Sequence, residues 1–131
     1  MNAKQEFVTS IKSYRDLIVW SKSVELVQKV YDLKREFSSD ERFGLTSQMR
    51  RCAVSIPSNI AEGSGRGTKK DFKRFLEFAI SSSFELETQL LICVDLNYIN
   101  ANEIDLLMKN VIEVQKLIYG LINTLKKDIQ K

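Results

Sequence analysis

Between Ile104 and Leu125, apolar residues recur at alternating intervals of three and four positions. This spacing stacks side chains on one side of an α-helix, and here it keeps a strict heptad over three repeats. The positions are Ile104, Leu107, Val111, Val114, Ile118, Leu121 and Leu125. We therefore predict a helix that is capped by Asn100, runs to about Lys127 and buries one stripe against other helices.

Three earlier stretches show the same kind of periodicity. Capping patterns at Ser13 and Thr68 mark the starts of two of them, and Gly63 suits the left-handed cap that ends another. The single proline, Pro57, lies inside the second stretch and predicts a kink between Ala53 and Pro57 unless the helix restarts there. The predicted helices are residues 13–37, 46–63 and 68–96.

Long helices joined by short connections describe an all-α, up-and-down antiparallel four-helix bundle. The chain has 131 residues, which fits one domain. Residues 1–12 lack a pattern and are predicted to be a flexible N-terminal arm. Residues 13–131 are predicted to form the single bundle domain.

The first and fourth predicted helices each carry a second apolar strip beside the first. Val19, Leu26 and Val30 flank the seam through Trp20 on the first helix. The extra strip on the fourth helix comprises Met108, Ile112 and Tyr119. Exposed strips of this size are unusual on a monomer. We therefore expect a homo-oligomer, the alternative being that these helices lie unusually deep in their own bundle.

The composition disfavours an enzyme. The chain has no histidine, which removes the commonest general base and the histidine-containing metal sites. Its two cysteines, Cys52 and Cys93, lie far apart in predicted helices and are expected to be buried thiols of a reducing cytosol. We expect no cofactor, no metal and no catalytic residues.

The sequence also predicts where the protein is found. Met1 to Lys12 lacks the apolar core of a secretory signal, and no apolar run approaches the ~20 residues of a membrane span. We expect a cytoplasmic protein without membrane contact.

Positive charge is concentrated in the middle of the chain. Residues 42–74 hold eight Lys or Arg against Glu62 and Asp71, a net charge of +6, although the whole chain carries only +3. Such a concentration favours phosphate-backbone contact. The candidate nucleic-acid-binding residues are Arg50, Arg51, Arg66, Lys69, Lys70, Lys73 and Arg74.

Two other interpretations of this basic group remain open. Lys70, Lys73 and Arg74 share a helical face that is predicted to point away from Phe72 and Phe75, and it could simply be solvated, with partners such as Glu77. An acidic protein is the other candidate partner. Nucleotide binding is disfavoured because the glycines after the second helix match no phosphate-loop motif.

A stripe of small polar residues follows one edge of the second predicted helix. A merely solvated face usually carries more long charged side chains, so this stripe is a candidate contact surface. Asn59 could instead be an amide satisfied near the Pro57 kink. The stripe comprises Gln48, Ser55, Ser58, Asn59 and Glu62.

Several motifs resemble those of the four-helix bundle family of 23S ribosomal-RNA intervening-sequence proteins, which includes the accessory protein of diversity-generating retroelements. They are YRDL at 14–17, FGLTSQ at 43–48, SIPSNIAEG at 55–63 and ELETQL at 85–90. The resemblance implies a homo-oligomeric ring, commonly a pentamer, without enzymatic activity. Ser38 and Ser81 depart from the family pattern, which often has Pro and Gly at these positions.

Two functions follow as hypotheses. The first is a non-catalytic homo-oligomer that binds structured RNA or another nucleic acid through the basic group. The alternative is a protein–protein adaptor, or an accessory subunit of a larger protein such as a reverse transcriptase, that uses the polar stripe and has no direct nucleic-acid contact.

Overall fold

The computed structural model describes residues 13–33 and 44–130, and within them all regular structure is helical. The predicted arm at 1–12 and the predicted end of the first helix at Phe37 lie outside the described residues. A short 3₁₀ turn at Tyr14–Asp16 precedes the helices. The helices are α1 (Ile18–Asp32), α2 (Leu45–Ser64), α3 (Lys69–Asp95) and α4 (Ala101–Gln130).

Each helix runs antiparallel to the one before it. The end of α1 meets the start of α2, where the Arg50 guanidinium lies 4.5 Å from the centroid of the Tyr31 ring. The end of α4 meets the start of α3, where Lys69 Nζ lies 3.3 Å from Asp128 Oδ2. Because α1 also packs against α4, the four helices form a closed square, as predicted for an up-and-down bundle.

The start of the first helix differs from the prediction. Ser13 and Asp16 do form the predicted capping box, in which Arg15 N donates to Ser13 Oγ at 3.2 Å and Ser13 N donates to Asp16 Oδ2 at 3.0 Å. This box closes the 3₁₀ turn and not the α-helix, because Leu17 is extended, with ψ 124°. α1 therefore begins at Ile18.

The predicted role of Gly63 as a left-handed cap is wrong. Gly63 is buried inside α2, which continues to Ser64, and the glycine with a left-handed backbone is Gly67, with φ 91°. A Cβ added at Gly63 would lie 2.6 Å from Phe75 Cβ. Gly63 is thus required for the close approach of α2 and α3. The α2 backbone stays helical through Pro57, so the helix does not restart there, and the kink remains a prediction.

The core contains most of the predicted seam of the fourth helix and a buried seam along α3. Ser83 is fully buried in the α3 seam and donates its hydroxyl hydrogen to the Ile80 carbonyl at 2.6 Å. On α4, Ile122 is buried and Leu121 is half-buried, so the seam shifts by one residue near its end. None of the described helices combines the length and the apolar character of a bilayer-spanning segment.

The apolar surplus is distributed differently from the prediction. The second strip of α1 is buried and Trp20 and Val27 pack against the core, so the described part of α1 keeps most of its apolar area inside its own bundle. On α4, Ile112 and Tyr119 of the extra strip remain exposed. Exposed apolar side chains also occur on α3 and at its C-terminal cap, where the sequence did not predict them: Phe78, Phe84, Leu91, Ile92 and Leu96.

Candidate nucleic-acid interface

Five of the predicted basic residues lie at one corner of the bundle, where α2 ends and α3 begins. Arg66 lies in the connection between these helices, and the Thr68 side chain caps α3 by accepting a hydrogen bond from Asp71 N at 3.1 Å. The cap fixes the residue at which α3 begins. The cations in the first turns of α3 therefore lie at the end of the bundle. We call this set the basic corner: Arg66, Lys69, Lys70, Lys73 and Arg74.

Three cations of the basic corner have carboxylate partners. Lys73 Nζ lies 3.0 Å from Glu77 Oε1, the pair that the sequence suggested. Arg74 Nη2 lies 3.7 Å from Asp71 Oδ1, and Lys69 pairs with Asp128. Arg66 and Lys70 form no ion pair within the described part of the chain, so their charges are the ones most available to an external anion.

The arginines of the basic corner also pack on aromatic rings. The guanidinium carbon of Arg66 lies 5.0 Å from the centroid of the Phe75 ring, and that of Arg74 lies 5.1 Å from the same centroid. The prediction that Arg74 points away from Phe75 is therefore wrong. Such stacking holds each arginine in place and leaves its N–H groups able to donate to phosphate oxygens.

Lys126 and Lys127 join the basic corner from the far end of the chain. Both are exposed near the end of α4, next to the Lys69–Asp128 ion pair. They were not among the predicted residues because they are distant from Lys69 along the chain. An antiparallel bundle returns the end of its fourth helix to the start of its third. With them, seven cations lie at this end of the bundle, where Asp71, Glu77 and Asp128 form ion pairs and Glu62 is exposed near the end of α2.

The structure does not bring Arg50 and Arg51 to this corner. Arg51 stands thirteen residues before Ser64, the last residue of α2, which is about 20 Å along the helix axis. Arg50 is held against α1, where its Nη2 donates to the Tyr31 carbonyl at 3.5 Å. Arg51 is exposed.

The start of α3 already holds a negative charge. The unpaired amides and the positive end of a helix can attract an anion. In the structure, Asp71 lies in the first turn of α3 and its own N–H is bonded to Thr68. Because this carboxylate already interacts with the helix dipole, phosphate contacts are expected at the side chains of the corner.

The predicted polar stripe largely satisfies itself. The hydroxyls of Ser55 and Ser58 each donate to a carbonyl of α2 at 2.8 Å. Asn59 Nδ2 donates to the Ser55 carbonyl at 2.8 Å, which supports the interpretation of Asn59 as a satisfied amide. Pro57 deprives the Ala53 carbonyl, two residues before Ser55, of its helical donor, so the Asn59 amide does not replace that donor. Glu62 is exposed at the far end of the stripe.

Cys52 lies between the stripe and α3. Its thiol donates to Glu85 Oε2 at 3.1 Å, and Gln89 Nε2 donates to Cys52 Sγ at 3.5 Å. Burial raises the pKa of the Cys52 thiol from its ordinary 9.0 to about 11, and the Glu85 carboxylate acts in the same direction. The thiol is therefore protonated at neutral pH. No cluster of potential metal ligands occurs among the described residues.

We expect Cys52 to react slowly with alkylating reagents. With a pKa of about 11, its thiolate fraction at pH 8 is roughly a hundredth of that of an ordinary thiol. Native protein should therefore be alkylated at Cys52 at least about a hundredfold more slowly than urea-unfolded protein, as measured by mass spectrometry. The same raised pKa contributes to the free energy of unfolding: the contribution is present below about pH 9 and is lost as the pH rises towards 11. Equal alkylation rates would contradict this assignment.

Beside Cys52, an open groove of about 640 Å³ follows the outer side of α3. Gln48, the first member of the polar stripe, reaches it from α2. Phe84 and Ile92 give the groove an apolar wall, and Glu85 gives it a negative charge. Its lining residues are Gln48, Ser81, Phe84, Glu85, Thr88, Gln89 and Ile92.

Known proteins share the fold and the sequence pattern of this chain. A protein of unknown function from the S23 ribosomal protein family of Bacteroides thetaiotaomicron is 24% identical, with a TM-score of 0.74 over 80% of this chain and 98% of that chain. The likeness shows a common fold. No curated protein matches the sequence. The family model named 23S rRNA-intervening sequence protein matches residues 15–120, which is most of the chain. The chain belongs to the family of 23S rRNA-intervening sequence proteins.

Proposed function

We propose that this protein is a non-catalytic homo-oligomer that binds nucleic acid through the basic corner. The supporting observation is the convergence of Arg66, Lys69, Lys70, Lys73 and Arg74 with Lys126 and Lys127 at one end of the bundle. Cations gathered on one surface can neutralise several adjacent phosphates and release their counterions together.

The ion pairs at the basic corner do not oppose this function. The Lys69–Asp128 and Arg74–Asp71 pairs are largely exposed to solvent, and pairs of this kind contribute only about 0–1 kcal/mol each. A polyanion can therefore displace the carboxylates at small cost. Contacts of this type read the backbone and carry no base preference by themselves.

We propose self-association on separate grounds. Exposed apolar side chains occur on all four helices, including Phe84 and Leu91 on α3 and Ile112 and Tyr119 on α4. Contact between copies would remove this area from water. The family resemblance makes a pentameric ring the expected form, and a ring would repeat the basic corner once per protomer.

The test of nucleic-acid binding removes the two unpaired cations of the basic corner. We expect the double variant Arg66→Gln/Lys70→Gln to bind single-stranded RNA roughly tenfold to thirtyfold more weakly at 0.1 M salt, because two phosphate contacts are lost. Fluorescence anisotropy with a labelled oligonucleotide measures this affinity.

The matched control loses the same charge elsewhere. The variant Lys22→Gln/Lys29→Gln changes two cations of α1, one of which pairs with Glu113, and should bind nearly as well as the unmodified protein. Equal weakening of both variants would show that net charge, and not the basic corner, determines binding. No effect in either variant would refute the assignment.

An adaptor role is the second proposal, and the groove along α3 favours it. Its walls combine Phe84 and Ile92 with the polar ends of Gln48 and Thr88, a mixture typical of protein contacts. A protein that remains bound after nuclease treatment, and that is lost on replacing Gln48 or Thr88 with arginine, would support this role over direct nucleic-acid contact.

A further inference from the structure

An exposed aromatic ring adjoins the basic corner. Arg66 and Arg74 both stack on the ring of Phe75, which is buried. The Phe78 ring meets the Phe75 ring edge-on, with the two centroids 5.5 Å apart and the ring planes at 85°. The guanidinium carbon of Arg74 also lies 5.7 Å from the centroid of the Phe78 ring. The two rings and the two arginines therefore form one contiguous cluster.

Phe78 is the aromatic member of this cluster that is open to solvent. Its side chain is 45% exposed. Lys70, Arg74 and Phe78 follow one another at intervals of four residues, so they lie along one side of α3 at steps of about 6 Å along its axis. The carboxylate next to the ring in sequence, Glu77, pairs with Lys73. A strand whose phosphates contact the cations of this side would therefore pass within reach of the ring.

The cations alone do not favour unpaired over paired nucleic acid. A DNA duplex carries one negative charge per about 1.7 Å of its axis, so electrostatic contact favours a duplex at least as much as a single strand. The bases of a duplex are stacked on one another, and an exposed ring does not reach their faces. An unpaired base offers its face, and stacking on an aromatic side chain is a strong contact that every base can make. An exposed ring beside the cations thus adds affinity for unpaired bases.

We propose that the basic corner binds unpaired nucleotides in preference to duplexes, with Phe78 stacking on a base while Arg66 and Lys70 contact neighbouring phosphates. This preference rests on the nucleic-acid binding proposed above and names the class of nucleic acid that the corner selects. The edge-on contact with Phe75 holds the Phe78 ring in place, so little conformational freedom is lost when a base stacks on it.

Replacing Phe78 with alanine separates base stacking from phosphate contact. We expect Phe78→Ala to bind an unstructured single-stranded RNA at least about fivefold more weakly at 0.1 M salt. Its affinity for the blunt duplex of the same strand with its complement should not change. Phe78→Tyr keeps an aromatic ring and should keep the preference of the unmodified protein for the single strand. Fluorescence anisotropy with the two labelled RNAs measures both affinities.

Tyr31 provides the matched control. It is also an exposed aromatic residue, at 42%, and it also carries an arginine, Arg50, against its ring. It lies near the end of α1, at the opposite end of the bundle from the basic corner. Tyr31→Ala should therefore leave both affinities unchanged. Circular dichroism and sedimentation velocity should show that each variant keeps its helices and its mass.

The possible outcomes separate this preference from nucleic-acid binding itself. An unmodified protein that prefers the duplex, or a Phe78→Ala variant whose affinity for both RNAs is unchanged or equally reduced, would overturn the role of the ring. Arg66→Gln/Lys70→Gln should still weaken binding to both RNAs in that case. A changed oligomeric mass in Phe78→Ala would also overturn this role, because the ring would then pack against another copy of the chain. An unmodified protein that binds neither RNA would overturn both proposals.

Discussion

Replacing Gly63 with alanine is expected to destabilise the bundle, although alanine is the better helix former. The new Cβ would lie 2.6 Å from Phe75 Cβ and 3.3 Å from the Phe72 carbonyl oxygen. Both atoms belong to or adjoin the α3 backbone, so the two helices must move apart. Overpacking of this kind costs about 1–3 kcal/mol, which exceeds the gain of about 0.5–1 kcal/mol in helix propensity. Thermal and urea unfolding measure the difference.

Gly120 provides the matched control for this substitution. It also lies inside a helix, but a Cβ added there would meet no atom within 4 Å. Gly120→Ala should therefore gain the propensity term alone and stabilise the protein by about 0.5–1 kcal/mol. If both substitutions stabilised the protein, α2 and α3 would not approach each other as closely as described.

Of the substitutions proposed for this protein, Leu86→Ala should lower the free energy of unfolding most. Leu86 is fully buried in the α3 seam, and the cavity left by its removal cannot collapse between packed helices. Leucine-to-alanine changes at such positions cost about 2–5 kcal/mol. Chemical unfolding should show a lower midpoint at an unchanged m-value.

Leu91 is the control for Leu86, since it is the same residue type on the same helix but is 51% exposed. Within one protomer, Leu91→Ala should lower the free energy of unfolding by less than about 1 kcal/mol. The proposed contact between copies adds a second expectation: Leu91→Ala should weaken assembly while leaving the helical content unchanged. Equal loss of stability in both variants would contradict the described burial.

Local patterns predicted those parts of the fold that depend on neighbours in the sequence. The capping side chains Thr68 and Asn100 set the starts of α3 and α4, and Asn100 Oδ1 accepts from Glu103 N at 2.9 Å as the pattern implies. The heptad of α4 identified its buried stripe. These features are set within one or two helical turns, so the sequence contains them directly.

Features that depend on distant residues were missed or misassigned. Gly63 looks like a helix cap, and only the approach of Phe75 shows why a Cβ is excluded there. The outward position of Phe84 and Leu91 depends on which side of α3 faces the core, since other apolar residues compete for the seam. Both outcomes are set by packing between helices, which sequence spacing alone does not specify.

The basic corner was predictable to the extent that its members are adjacent in the sequence. Arg66 to Arg74 follow one another across a connection and two helical turns. The addition of Lys126 and Lys127 and the partner of Lys69, Asp128, requires the antiparallel return of α4. The separation of Arg50 and Arg51 follows from the rise of α2, which spreads residues close in sequence over about 20 Å.

The salt dependence of nucleic-acid affinity tests the central claim, phosphate binding at the basic corner, most directly. Each phosphate that a cation neutralises on a single strand contributes about −0.7 to the slope of log K against log salt. Contacts from several of the seven corner cations therefore predict a slope between about −2 and −5 for the unmodified protein. An affinity that stays constant from low to moderate salt, or the absence of binding at low salt, would contradict the account.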